Sequence, residues 1–545
     1  MPAEKTIFLY LVFLIIQRNA MAQGNTIPPV KEPVFRKDSF DIRNYGAIPN
    51  QTSPGNTTAI NEAISVCHAK GGGIVIVPAG NWITGPLILK DNVNLHLQKN
   101  ALLQFSKNFD DYNLIETNWE GQPQMRNQSP ISAFNATNIA ITGLGIIDGN
   151  GHVWRSVSRQ NQTADQWKKL IRQGGIVTED GTAWYPSRQS LKGSKLSSPG
   201  LLVPGREKKF YSSFKDYLRP DLVMFQNCRQ ILIEGVTFVN PPAWNIHLLL
   251  SYDIAVRNIT IKSDWWAQNT DGVDVESCKS VLIDNCSFDV GDDGICIKSG
   301  RDEAGRKRGV STENVWVKNC TVYKAHGGFV IGSEMSGGVK NLLVEDCTFI
   351  GTDIGLRFKT RRGRGGTVEN ITIRNIGMKD IVEDAVLFDM FYSASDNETN
   401  MDYSFQAVTE KTPQFKNFLI SNIFCTSAAR AIFIRGLPEM PVQDLQFTNL
   451  FITSREGINL SDVNNISFKD VAVTPASEKP LVNILNGKNI VFENTLLQHN
   501  LRLLFLIRGN RSDGIKIIHK QSKSISGKIG LGKGVSKKAW SEVRL

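Results

Sequence analysis

Eight-residue segments of one design recur along this chain from residue 139 onward, and they leave few folds open. Copies include IAITGLGI (139), IAVRNITI (254), VLIDNCSF (281), VWVKNCTV (315), FLISNIFC (418) and IVFENTLL (490), and most begin 21 to 34 residues after the one before. Each holds two apolar alternations of period two, the pattern of a half-buried strand, hinged at the fifth position on Asn, Asp or Gly. Those residue types enter left-handed backbone most easily, so the fifth position predicts a corner. Short strands at this period, with no helix between them, predict an all-β coil: a single-stranded right-handed parallel β-helix. A propeller is the competing architecture, but its blades need about forty residues and hairpin turns.

Repeat folds commonly reach 545 residues as one unit, so length does not demand several domains. Residues 1–22 read as a signal peptide. Lys5 precedes an apolar run over 7–16, and Ala20-Met21-Ala22 has the small-x-small pattern of a cleavage site. The run falls short of the roughly twenty residues that span a bilayer. The protein is therefore expected to be exported, periplasmic or extracellular, without a membrane span. Residues 23–36 read as a linker and 37–520 as the β-helix catalytic domain. A short helix is predicted over 57–70, stopped by Gly71-Gly72-Gly73, and with the strands after it would cap one open end of the stack. Two intervals are too long for one coil. The larger, 150–220, is polar and basic with Trp154, Trp167, Trp184 and Tyr185, and reads as an excursion folding over one face. The shorter, 391–413, reads as a loop, and 521–545 as a basic, loosely ordered C-terminal tail.

Cysteine usage argues against a disulfide scaffold. Cys286, Cys320 and Cys347 share the register that other copies fill with Val236, Ile259, Ile376 and Leu450, so they are expected as small buried hydrophobes. None has the CxxC spacing of a zinc site. The formal charge of +10 suits an acidic partner, and charge alone does not choose among nucleic acid, an anionic surface and a polyanionic sugar.

Chemistry concentrates in NTDGVDVES (269), GDDGICIKSG (291), AHGGFVIGSE (325) and GLRFKT (355). Superposing their apolar alternations puts Asp271 level with Asp293, Asp292 level with His326, and Glu276 level with Lys298, Gly332 and Lys359. Level residues on parallel strands sit about 4.8 Å apart. Three aspartates that close cannot all ionise freely, so at least one pKa should rise, leaving a proton donor beside a charged base. Glycoside hydrolysis needs that pair. A cation site or an Asn/Asp turn ladder would explain the acids alone equally well. Arg357 and Lys359 shift the balance, because they can bind and orient a substrate carboxylate. His326 can tune Asp292. The following RRGRGG (361–366) adds Arg361, Arg362 and Arg364, and lacks the GK[ST] of a phosphate loop.

In the order NTDG, GDD, HG and R-x-K on a β-helix, these motifs resemble the polygalacturonase family of glycoside hydrolases, family 28. The resemblance runs from FDIRNYGA (40) to the last coil. It implies inverting hydrolysis of α-1,4-linked galacturonic acid in pectin, with no cofactor and no metal. It also implies Asp292 as general acid, Asp271 and Asp293 as the pair activating water, and His326 supporting the acid. Arg357 and Lys359 would bind the uronate carboxylate, with Asn269 also in the site. Gly294 stands where a cysteine is frequent in the family, and Ala325 replaces the first glycine of a GHG triplet; both leave subfamily and exact substrate open. The expected partner is an acidic pectic polysaccharide or oligogalacturonide and not nucleic acid; the oligomeric state is not legible. An excursion closing one end of the groove favours exo action. Endo-polygalacturonase and rhamnogalacturonan galacturonohydrolase are the nearest alternatives. From other classes, a calcium-dependent pectate lyase would give unsaturated product, and a non-catalytic polysaccharide-binding β-helix would tolerate Asp292→Asn. Inversion calls for about 6.5–9.5 Å between acid and base.

Overall fold

In the computed structural model, 35 strands of the described residues join in one continuous sheet. Each main-body strand pairs in parallel with those one coil before and one coil after. The structure describes residues 27–51, 54–392, 402–495, 501–520 and 524–545. The expected signal peptide and the start of the linker lie outside these residues. No described helix is long and apolar enough to cross a membrane.

The repeat dictates the coil through its fifth position. Asn258, Asn285, Asn319, Asp346, Asn375, Asn422, Asn449, Asp470 and Asn494 all have φ between 49° and 59°, and Gly143 and Gly235 are left-handed too. Each turns the chain between the two apolar alternations of its coil, at a break between strands as at Asn285 or within one bent strand as at Asn375, so both alternations point inward. The apolar column of the sequence is then stacked in space: Val273 pairs with Ile295, Ile295 with Phe329, and Phe329 with Leu356. All eight cysteines are buried free thiols, and Cys286, Cys320 and Cys347 stand in that core. At the first end, helix Gly55–Ala69 buries Ile60, Ala63, Ile64 and Cys67 against strands Gly73–Val77 and Gly80–Thr84. Apolar core that would otherwise face water is covered there.

At the other end the sequence reading needs correction. Strands Ile529–Leu531 and Trp540–Arg544 pair in parallel with Phe505–Arg508 and Ile515–His519, so the coil runs past residue 520. Its apolar residues are sparse but well placed: Ile525 and Ala539 are buried, and Trp540 packs on the core.

The 150–220 excursion has its own small fold. Helices Ala164–Arg172 and Arg188–Ser194 accompany three antiparallel strands, Val157–Ser158, Ala183–Tyr185 and Ile176–Val177. Trp167 and Trp184 pack with Val157 and against Trp266, while Trp154 is buried edge-on to Phe109 and Tyr112. A second projection escapes sequence reading: the antiparallel hairpin of Leu114–Trp119 and Gln122–Asn127. Its two-residue turn is Glu120-Gly121, both left-handed at φ 47° and 73°. Hairpins of this type usually carry Asn-Gly or Asp-Gly, and Glu-Gly gives a weaker signal.

Candidate active site

The four chemical segments fall in the register their alternations predict. Glu276 is level with Lys298, and Val330 with Arg357. Asp271, Asp292, Asp293, Asn269 and Lys359 line one cavity of about 250 Å³, shared with Trp244, Lys298, Glu334 and Tyr392. Asp271, Asp292 and Asp293 each place an oxygen within 4.8 Å of the others. These are nearest oxygens; the carboxyl centres, to which the about 6.5–9.5 Å expected for inversion applies, lie further apart.

Environment separates the three acids. Asp293 is held by both cations the sequence singled out: Lys359 Nζ donates at 2.8 Å to one oxygen and Arg357 Nη1 at 3.2 Å to the other. Burial works to raise its pKa, but Lys359 and Arg357 outweigh it and keep Asp293 well below the usual carboxylate range. Asp271 has the opposite balance. Burial, then the negative charges of Asp274 and Asp292, push its carboxyl well above that range against the pull of Lys298. The predicted rise therefore falls on Asp271. Asp292 is the accessible member, its side chain 21% exposed against 4% for Asp271 and 2% for Asp293. His326 Nδ1 lies 3.3 Å from Asp292 Oδ1, and this hydrogen bond raises the proton affinity of the imidazole. Asn269 lines the same cavity, and its side-chain oxygen accepts from Arg219 Nη2 at 2.7 Å. Arg219 also holds the Gln268 and Pro242 carbonyls and so pins the turn that presents Asp271.

Beneath the acids lies a buried ionic layer that motif reading passed over. Lys298 Nζ stands 3.2 Å from Asp274, 3.5 Å from Glu334 and 3.7 Å from Asp271, and 4.2 Å from the centre of the Trp244 ring. His247 is wholly buried between Asp221 and Glu276, with 3.0 Å on each side. Burial opposes its charge, but the two carboxylates prevail and raise it to about 9. Glu276 is brought down to about 2 against burial by His247 and Arg308. Burial lifts Asp274 to about 7 despite Lys298 and His247. Carrying the register one coil back would have found much of this, since Ile246 is level with Val273 and His247 with Asp274.

The wall at one end of the cavity is not the one expected. Its lining includes Glu120, from the tip of the hairpin, and no residue of 150–220. Arg301 Nη1 bonds Glu120 at 2.9 Å, and the Arg301 amide donates to the Gly121 carbonyl. A side chain at Gly121 would lie 2.5 Å from that amide nitrogen, so glycine permits the contact. The excursion acts from behind, through Arg219.

The three acids have the oxygens to share a cation. The chain already supplies positive charge to that spot, from Lys298, Lys359 and Arg357. Together these groups can present a proton to a leaving oxygen, hold a second carboxylate ionised beside it, and attract an anionic substrate.

The sequence profile of glycosyl hydrolases family 28 matches residues 207–477, a span that holds all the acids. A probable polygalacturonase of Vitis vinifera is 28% identical over 86% of this chain and 87% of its own length. The exo-poly-α-D-galacturonosidase of Dickeya chrysanthemi is 29% identical over 79% and 70% respectively. Among solved structures, an exopolygalacturonase from Thermotoga maritima superposes with a TM-score of 0.63 at 28% identity, covering 85% of this chain and 94% of that one. With the same ordered acids on the same parallel coil, the chain belongs to family 28 of the glycosyl hydrolases.

Proposed function

We propose that the protein hydrolyses α-1,4-linked galacturonic acid in pectic polymers, removing units from chain ends. The observation that carries this reading is the pairing of an accessible acid, Asp292, with an ionised carboxylate, Asp293, that is flanked by Arg357 and the buried Lys359. Asp292 delivers a proton to the glycosidic oxygen, and His326 keeps a proton at that pair. Of the pair at the attacking water, Asp293, held ionised by its cations, takes the proton, and Asp271, whose proton affinity burial raises, positions the water. Arg357 and Lys359 receive the uronate carboxylate. In the free protein they hold Asp293, so a substrate carboxylate that draws on the same cations returns proton affinity to Asp293 as the reaction needs it.

Both end-acting and interior-acting enzymes occur among the relatives. End action is supported here by the small cavity and by the Glu120–Arg301 wall across it. Inversion follows the family resemblance and is the step most worth measuring. Export fits a polymer substrate outside the cell.

The test is the product profile from polygalacturonic acid over time, with chelator present, for the wild type and Asp292→Asn. Early saturated monomer, absent in the variant, is the expected result. Mixed oligomers would replace end action with an endo mode, and an unsaturated, chelator-sensitive product would replace hydrolysis with elimination. Proton NMR of the first-formed anomer should show β; an α product would make Asp271 or Asp293 a nucleophile.

A further inference from the structure

The arginines of RRGRGG have unequal tasks. Arg362 is a brace, donating to the two oxygens of Glu439 at 2.7 and 2.8 Å. Arg364 is buried and bonds Asp302 and the Ser333 carbonyl. Arg361 is half-buried, and its side chain has no hydrogen bond or ion pair among the described residues. It lines the catalytic cavity and also an adjoining cavity of about 940 Å³, bounded by helix Asp302–Arg308 and by Glu410 and Lys411.

An unpaired guanidinium in that position calls for an anion. Burial, then Arg364 and Arg301, lower the proton affinity of Arg361 against the opposing pull of Asp302 and Glu334, so it is a half-buried cation whose nearby acids do not make up for its lost water, and an arriving carboxylate would. Lys411, also on that wall, is exposed. Among the described residues Lys307 pairs with Glu303, in an ion pair exposed enough to exchange freely. Three acids share that wall with five cations: Asp302 is already engaged by Arg364 and Arg301, Glu303 meets Lys307, and Glu410 is the third. A galacturonan carries one carboxylate per ring, so a chain whose end occupies the catalytic cavity brings further anions to its neighbourhood.

We propose that Arg361, with Lys411 and Lys307 beside it, forms a second anion subsite that takes the carboxylate of a uronate further along the chain held at Arg357 and Lys359. The identity of the ligand rests on the proposed function. A planar guanidinium can meet that carboxylate through two parallel bonds, which a lysine cannot.

The experiment compares kcat/KM for di-, tri- and tetragalacturonate in the wild type, Arg361→Gln and Lys411→Gln. The wild type should gain about tenfold from dimer to tetramer, and Arg361→Gln should lose most of that gain, as expected for one charge-assisted contact. Lys411→Gln should lose a smaller part. Melting temperatures should stay unchanged, because neither side chain leaves a partner behind. Tetramer methyl-esterified beyond the terminal unit should behave in the wild type as plain tetramer does in Arg361→Gln. An equal loss at every length in Arg361→Gln, or a wild-type rate indifferent to length, would overturn the subsite. A wild type that cleaves no galacturonide would overturn the substrate reading and this proposal with it, and is recognised by the wild type's own inactivity.

Discussion

Polar side chains stack along this molecule, and one amide ladder and the acid edge obey one rule with opposite results. Parallel coils set like residues over like at about 4.8 Å. Along the corners, asparagines and aspartates follow one another: Asn375 donates to Asp346 at 2.9 Å, Asn422 to Asn375 at 2.9 Å, and Asn449 to Asn422 at 2.7 Å. An amide both donates and accepts, so each asparagine satisfies its neighbour and the ladder is complete in itself. On the acid edge, Asp271 and Asp293 occupy level positions, with Asp292 beside them. Carboxylates only accept, so this stack cannot satisfy itself; it draws in protons and the cations of Lys298, Lys359 and Arg357. Stacked amides make structure, whereas stacked acids make demand for charge, and that demand is what catalysis uses.

The comparison breaks most sharply in activity. Asp292→Asn or Asp293→Asn should lower kcat by about a thousandfold or more, the scale of lost acid–base chemistry, in steady-state assays on polygalacturonate. Asn375→Gly, a polar deletion on the ladder, should leave kcat within about twofold.

Next in size is the removal of a cation from the frustrated stack. Lys298→Met leaves Asp271, Asp274 and Glu334 buried without their shared partner, and should cost about 3–5 kcal/mol in denaturant unfolding. A loss under about 1 kcal/mol would mean that the layer carries its protons without Lys298.

Titration should separate the stacks again. The folded protein raises the pKa of His247 to about 9 from an ordinary value of 6.5, so its stabilisation is whole below about pH 6.5 and lost as pH rises through about 9. Asp274, raised to about 7, likewise contributes fully below its ordinary 3.8 and loses that contribution as pH rises through about 7. Glu276, lowered to about 2, runs the other way: whole above 4.5, lost as pH falls through about 2. The melting temperature should therefore fall between about pH 6.5 and 9, and the fall should be shallower in His247→Gln. The asparagine ladder does not titrate and contributes nothing to that slope.

The smallest effect sharpens the ladder itself. Asn375→Gly keeps the left-handed corner at φ 59° and deletes only the amide, so it should cost about 1 kcal/mol. Asn375→Ala adds strain at a residue that is not glycine, and should cost about 1–2 kcal/mol more.

The coil and most of the acid site were legible in the chain because period-two alternation and left-handed corners are local, and because parallel stacking turns one register into a spatial map. Asp271, Asp292, Asp293, His326, Arg357 and Lys359 could be placed together by counting. The buried layer of Asp221, His247 and Asp274 was less legible, since its members lie on the coil before NTDG or between its inward residues and match no short motif. Glu120 was out of reach. It arrives from a hairpin far back in the sequence, and nothing local to Glu120-Gly121 says which groove it will meet. The C-terminal tail misled for a related reason: few apolar residues, spaced among lysines and glycines, cover the last coil.

The sequence by itself thus determined the repeat, its corners and the list of acids, because each is written in residues a few positions apart. Only the tertiary structure decided which buried acid has its proton affinity raised, which has it lowered, and which faces the groove. Those depend on solvent exclusion and on charges brought from other coils, and neither is a property of any local stretch of chain.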